Sequence, residues 1–280
     1  MPVQPRGNLI SMHERMTSAQ QRDYGIRLHV PQGDPPAGGY PVVWLLDTPT
    51  TWAPMQQALH EHGEGGVVVI GIGWNDEGGV DPNLRRHDFT LPARHPIPPP
   101  RGSADEWRED GDSDAFLAFL AEELQPHYLE ALPLDAARQT LIGHSLSGLF
   151  VLNALIARPR RFQRYVAASP SIWWDASRVM DDADAVDWSA ANAARVMISV
   201  GSQEQVAGPE KPAMVAGEAQ AAVLGEQHMV DNASAFADLL RRHGVDCEFH
   251  LFEGETHHSV LPAAMAAALS FARSHADSAR

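Results

Sequence analysis

An apolar run, Gln139-Thr140-Leu141-Ile142, passes through Gly143-His144-Ser145-Leu146-Ser147-Gly148 straight into the apolar stretch that opens Leu149-Phe150. The run has strand character and the stretch beyond the turn has helical character, with only a few residues between them. So abrupt a reversal crowds the backbone, and small residues two before and two after the apex let strand and helix pass closely. Gly143 and Ser147 occupy those positions around Ser145. The apex residue of such a turn is strained, and its hydroxyl is lifted above the end of the strand. The turn also constrains the architecture, because a strand feeding directly into a helix is the repeating unit of a parallel α/β sheet.

The rest of the chain repeats that unit. Strand candidates are Tyr24–Val30, Val42–Leu46, Val67–Ile72, Thr140–Ile142, Tyr165–Ala168, Val196–Val200 and Cys247–Phe252. Several are continuously apolar, as strands covered on both faces should be. Helical stretches fall near Trp52–His62, Asp114–Leu132, Leu146–Ala157, Ala233–His243 and Leu261–His275; Asp112-Ser113-Asp114 supplies cap chemistry for the second. The alternation predicts a doubly wound, mostly parallel sheet, and with the serine turn it predicts the α/β-hydrolase fold. Two segments break the rhythm: 75–112, rich in Gly, Pro, Asp and Arg, and 202–228, small and polar with Pro209 and Pro212. Neither divides the alternation into self-sufficient halves, so residues 1–280 are expected to form one domain with two loop insertions.

Composition narrows the functions. A net charge of −15 argues against a nucleic-acid surface, which rests on Lys and Arg, and against long-range steering of anions. An anionic substrate would have to be met by local arginines. The single cysteine, Cys247, cannot form an internal disulfide and reads as a buried small hydrophobe. Met1–Gln20 has no apolar h-region, and no run approaches membrane-spanning length, so no signal peptide or membrane anchor is expected and the reading is cytoplasmic.

In a strand–serine–helix turn of this kind the acid and then the histidine come after the serine along the chain. The histidine belongs in the loop after the last strand, where Glu253-Gly254-Glu255-Thr256-His257-His258-Ser259-Val260 offers His257 or His258 as the base for Ser145. The acid should come after Val196–Val200, which points to Glu204, with Glu210 and Asp231 as weaker alternatives. Negative charge on a tetrahedral intermediate calls for two backbone N–H donors. Leu146, after the serine, is one; Thr48, after Val42–Leu46, is the other, since Pro49 has no N–H. His60, His62 and His243 read as solvated, and His60-Glu61-His62 lacks the i, i+4 spacing of a helical zinc pair, so no metal and no cofactor are expected.

These residues resemble the esterase family that contains enterochelin esterases and related ferric-siderophore trilactone hydrolases. The resemblance spans Tyr40-Pro41-Val42-Val43-Trp44-Leu45-Leu46-Asp47, Arg85-Arg86-His87-Asp88-Phe89-Thr90, Asp114–Leu120, the serine turn, Ala168-Ser169-Pro170-Ser171-Ile172-Trp173-Trp174 and Gly254–Val260. It implies His257 as the base and a small-molecule ester as partner, a ferric catecholate siderophore being the expectation. Arg85 and Arg86 could then meet the anion, and Trp173 and Trp174 the catechol rings. The bland reading has the tryptophans in the core and the arginines paired with Asp81 or Asp88. Two departures stand out: Thr48 where the family often has glycine, and Ser147 for the usual second glycine. The competing functions are a general carboxylesterase or thioesterase, similar to S-formylglutathione hydrolases, and a siderophore-binding protein without turnover.

Overall fold

Strand β3, Tyr40–Leu46, is buried along its whole length, which requires cover on both faces. The computed structural model describes residues 12–63, 65–74, 80–95, 110–191, 194–205 and 227–274, and it supplies that cover. In chain order the elements are β1 (Met12–Thr17), β2 (Asp23–His29), β3, α1 (Thr48–His62), β4 (Val68–Gly73), α2 (Pro82–Phe89), α3 (Ser113–Ala118), a π-helical stretch (Phe119–Leu124), α4 (Gln125–Ala131), β5 (Leu134–His144), α5 (Leu146–Ala157), β6 (Arg164–Ala168), α6 (Trp174–Asp184), β7 (Arg195–Gly201), α7 (Met229–Arg242), β8 (Asp246–Phe252) and α8 (Leu261–Arg273).

The strands form one eight-stranded sheet in the order β1-β2-β4-β3-β5-β6-β7-β8. β1 and β2 are antiparallel, and β2 meets β4 antiparallel; every later pairing is parallel. This is the mostly parallel α/β-hydrolase arrangement the serine turn implied. Side chains alternate across the pleat of β3. Val43 and Leu45 join Trp52, Met55, Leu59, Met265 and Leu269 of α1 and α8 in one core layer. Val42, Trp44 and Leu46 join Phe116, Phe119, Phe150 and Phe236 in the other.

The structure differs from the sequence reading at several places. β1 was missed: Met12–Thr17 is an edge strand with its side chains half-exposed or exposed from His13 on, so it carries no apolar signature. Within 75–112, read as irregular, Pro82–Phe89 is helical; Asp81 caps it, accepting from Asn83 and Leu84 N–H, and Pro82 starts it. α6 was also missed. Its first turn holds Asp175, Ala176 and Ser177 in left-handed backbone at φ 50°, 54° and 60°, which no apolar periodicity signals. The helix expected over 114–132 runs as α3, a π-helical stretch and α4. The widened turn stands immediately before Pro126, which cannot donate to the i−4 carbonyl. Cys247 is buried, and burial pushes its thiol up to about 12. Most of 202–228, including Glu210, and residues 75–79 and 96–109 lie outside the described residues.

Candidate active site

The carboxyl ends of β3, β5, β6, β7 and β8 open on one edge of the sheet, where ligands of open α/β folds bind. Ser145 sits there between β5 and α5 at φ 61°, ψ −118°, a conformation non-glycine residues rarely adopt. Its N–H donates to Ala168 O at 2.9 Å and its carbonyl accepts from Leu149 N–H at 3.0 Å, so the strain is held from both sides. The crowding is measurable. A Cβ on Gly143 would stand 2.2 Å from Ser147 O, and one on Gly148 would stand 2.9 Å from Ala168 O. The departure at Ser147 is compensated locally: its hydroxyl donates to His144 O and accepts from His144 N–H, both at 2.9 Å. The serine cross-ties the turn at the position where the resemblance implies glycine.

The loop after β8 brings His257 over this turn. Ser145 Oγ lies 2.9 Å from His257 Nε2, and His257 Nδ1 lies 2.6 Å from Glu204 Oε2. An ionised carboxylate only accepts, so Nδ1 carries the proton and Nε2 is left to accept from Ser145. The Glu204 side chain is 1 % exposed and His257's is 24 % exposed. His258 is exposed and turned against the His257 ring, so the two histidines left open by spacing are separated by geometry. The loops carrying acid and base are zipped together: Gly254 N–H donates to Ser202 Oγ at 2.9 Å and Gln203 N–H to Glu255 O at 3.0 Å. Gly201 is needed there, since a Cβ would come 2.3 Å from Glu255 O. Asp231, the weaker alternative for the acid, is exposed on α7 and bonded to Gln205.

Ser169 and Ser171 carry no signal of their own in the sequence, and His144, at the variable position of the serine turn, reads there as a structural neighbour. Ser169 Oγ donates to Glu204 Oε1 at 2.7 Å, and Gly201 N–H donates to the same oxygen at 2.6 Å. Ser171 Oγ lies 3.4 Å from Ser145 Oγ. His144, fully buried behind the serine, donates Nε2–H to His257 O at 3.0 Å. Burial, then the neighbouring His257 and Arg85 charges, hold the His144 pKa well below the ordinary imidazole value, so it stays neutral. Nothing in the composition of Ala168–Trp174 distinguishes Ser169 from Ser171.

Thr48 and Leu146 are the first residues of α1 and α5, positions whose N–H groups have no partner within the helix. The register that pairs Leu45 with Ile142 sets the turn after β3 beside the turn after β5. Thr48 comes directly after Asp47, which is fully buried in left-handed backbone and grips Arg85 through Nε at 3.0 Å and Nη2 at 2.8 Å. Burial raises the Asp47 carboxyl above its usual range, against the pull of Arg85.

The four expected substrate contacts divide. Arg85 is partly exposed, and its charge reaches His144 beneath the serine. Arg86 is buried and bonded to Asp110 at 2.6 Å, with burial lowering its pKa, so it braces the segment entering α3. Asp88 accepts from Trp74 Nε1 at 2.7 Å and contacts His87, and Asp81 caps α2. Trp173 and Trp174 are half-buried, packed against the core with ring centroids 5.9 Å apart. Trp174 lines a shallow depression with Leu149, Asn153 and Arg178, so it is committed partly to packing.

Residues 17–271 match the family described as Putative esterase. The chain belongs to this esterase family. It is 34 % identical over 276 residues to the ferri-bacillibactin esterase BesA of Bacillus subtilis (strain 168), across 92 % of this chain and 88 % of that one. It is 33 % identical over 258 residues to the siderophore enterobactin esterase of Emericella nidulans, across 85 % and 84 % of the two chains. Among solved structures, the BES protein from Bacillus cereus superposes with a TM-score of 0.77 at 27 % identity, covering 96 % of this chain and 99 % of that one. The siderophore hydrolase EstA from Aspergillus nidulans superposes at 0.76 with 29 % identity, covering 97 % and 96 %. The chain is therefore an ester hydrolase by family. Among the described residues no group of His, Cys, Asp or Glu could hold a metal ion, and no helix is long and apolar enough to cross a membrane.

Proposed function

We propose that this esterase uses Ser145, His257 and Glu204 to hydrolyse ester bonds of a siderophore of the catecholate trilactone type, so that chelated iron is released. The observation that carries the reading is the unbroken relay from Ser145 Oγ through both nitrogens of His257 to Glu204. The substrate class rests on the relatives, which are named for ferri-bacillibactin and enterobactin.

In this reading His257 Nε2 takes the Ser145 proton as Oγ attacks the ester carbonyl. Glu204 fixes the reactive tautomer and stabilises the imidazolium that forms. The N–H groups of Leu146 and Thr48, at two helix N-termini, receive the oxyanion, each worth about 2.7–4 kcal/mol in comparable sites. The imidazolium then protonates the departing alcohol. Water, activated by the same imidazole, frees the acid from Ser145. No cofactor enters either half-reaction. Arg85, aligned by Asp47, supplies positive charge at the rim for an anionic ferric complex on a chain of net charge −15. Trp173 offers its ring face to the aromatic groups. Iron release after uptake sets the reaction in the cytoplasm, which fractionation of the source cells tests.

The test is a hydrolysis panel of ferric and metal-free trilactones, linear p-nitrophenyl esters and acyl thioesters. Cleavage of trilactones with the highest kcat/KM supports the reading. Preference for small thioesters or linear esters moves the protein to the general-hydrolase alternative. Tight siderophore binding without turnover, and without labelling by a fluorophosphonate, makes it a binding protein.

A further inference from the structure

We infer that Ser169 is a positioning residue for this reaction, acting through Glu204; the inference rests on the triad reading above. β6 ends at Ala168, and Ser169 comes next at φ 42°, backbone that L-residues rarely adopt. The conformation is locked: Ser169 N–H donates to Ser199 O at 2.6 Å, and two residues on Ser171 N–H donates to Ser145 O at 3.1 Å. Glycine is the residue such a φ favours. The position instead holds a fully buried residue whose hydroxyl donates to Glu204 Oε1 at 2.7 Å. The strained backbone thus retains a residue that brings a donor.

The chemistry explains why a donor is needed. A glutamate has one more torsion than an aspartate, and its terminal torsion is soft. Left alone, the carboxylate would swing and its Oε2 would lose alignment with His257 Nδ1. Two donors on Oε1, Ser169 Oγ and Gly201 N–H, fix the plane of the carboxylate and aim Oε2 at the imidazole. Among the hydrogen bonds of the described residues, the Ser169 hydroxyl reaches the acid and neither the nucleophile nor the base.

The experiment measures kcat and the pH profile on a neutral p-nitrophenyl ester for Ser169→Ala and Ser169→Gly, each alone and combined with Glu204→Ala. Thermal denaturation checks the fold, and glycine, which accepts the positive φ, keeps the test valid should alanine unfold the turn. Supporting groups of this kind typically change activity by about 10- to 100-fold, and a loss in that range is expected for both single variants. Without the donor the carboxylate swings off Nδ1 and stabilises the imidazolium less, so the acid limb of kcat/KM shifts to lower pH. In the Glu204→Ala background the same substitutions change kcat by less than about twofold, because residues acting as a unit are non-additive. Single variants within about twofold of wild type, or equal losses in both backgrounds, overturn the role of Ser169. A Glu204→Ala variant that itself keeps full activity overturns the triad reading instead.

Discussion

The proposed reactive edge and the proposed substrate wall of this molecule are built on different principles. Ser145, Glu204 and His257 stand on turns that leave three parallel strands, and each is reached by hydrogen bonds that leave it one orientation. The proposed wall consists of α2 and the entry to α6, elements held by ion pairs to groups distant in the chain: Arg85 to Asp47, Arg86 to Asp110, and Asp182 to Arg94. The same pairing of adjacent arginines therefore yields one partly exposed group and one buried group. Catalytic position derives from strand order, whereas recognition depends on which way individual helices face.

The largest contrast is expected from Ser145→Ala, which should lower kcat on any ester by about 10⁴-fold or more, since members of a serine triad fail as a unit. Steady-state hydrolysis of a neutral ester reads it, and retained activity places the nucleophile elsewhere. Glu204→Ala comes next, with a loss of about 10³–10⁴-fold. A loss under tenfold would reduce the relay to Ser145 and His257. Across the wall, Arg85→Ala should raise KM for an anionic siderophore about tenfold while moving KM for a neutral ester little. It should also lower stability, because Asp47 is left buried without its cation. Arg86→Ala should shift both substrates alike; a selective effect on the anion would return Arg86 to the cleft.

The smallest effect concerns pH. His144 is held neutral in the fold, but in the unfolded chain it titrates near 6.5. The unfolded state therefore binds the extra proton, and stability falls as pH drops below about 6.5, by at most about 1.4 kcal/mol per pH unit for one proton. Chemical denaturation between pH 7 and 5 should show a flatter slope in His144→Gln than in wild type. Equal slopes would mean that His144 is charged in the fold.

Much of this contrast was legible beforehand. Continuous apolar strands and the abrupt Ser145 turn carry their own periodicity, so β3 to β8 and α5 could be read directly. β1 could not, because Met12–Thr17 is an edge strand whose polar side chains face water. α2 was hidden in a Gly- and Pro-rich segment although Asp81-Pro82 marks its start, and α6 was hidden by its left-handed first turn. The choice between His257 and His258 needed the resemblance, since both come after β8 and only the loop geometry turns one inward. The division between Arg85 and Arg86 had no signal at all: their partners, Asp47 and Asp110, lie 38 and 24 residues away.

The central claim is that the Ser145 relay serves a siderophore ester, and product chromatography of a ferric catecholate trilactone incubated with the wild-type enzyme tests it most directly. Stepwise ring opening to linear products is expected, with kcat/KM above that for p-nitrophenyl esters. An intact trilactone alongside rapid turnover of those linear esters would contradict it.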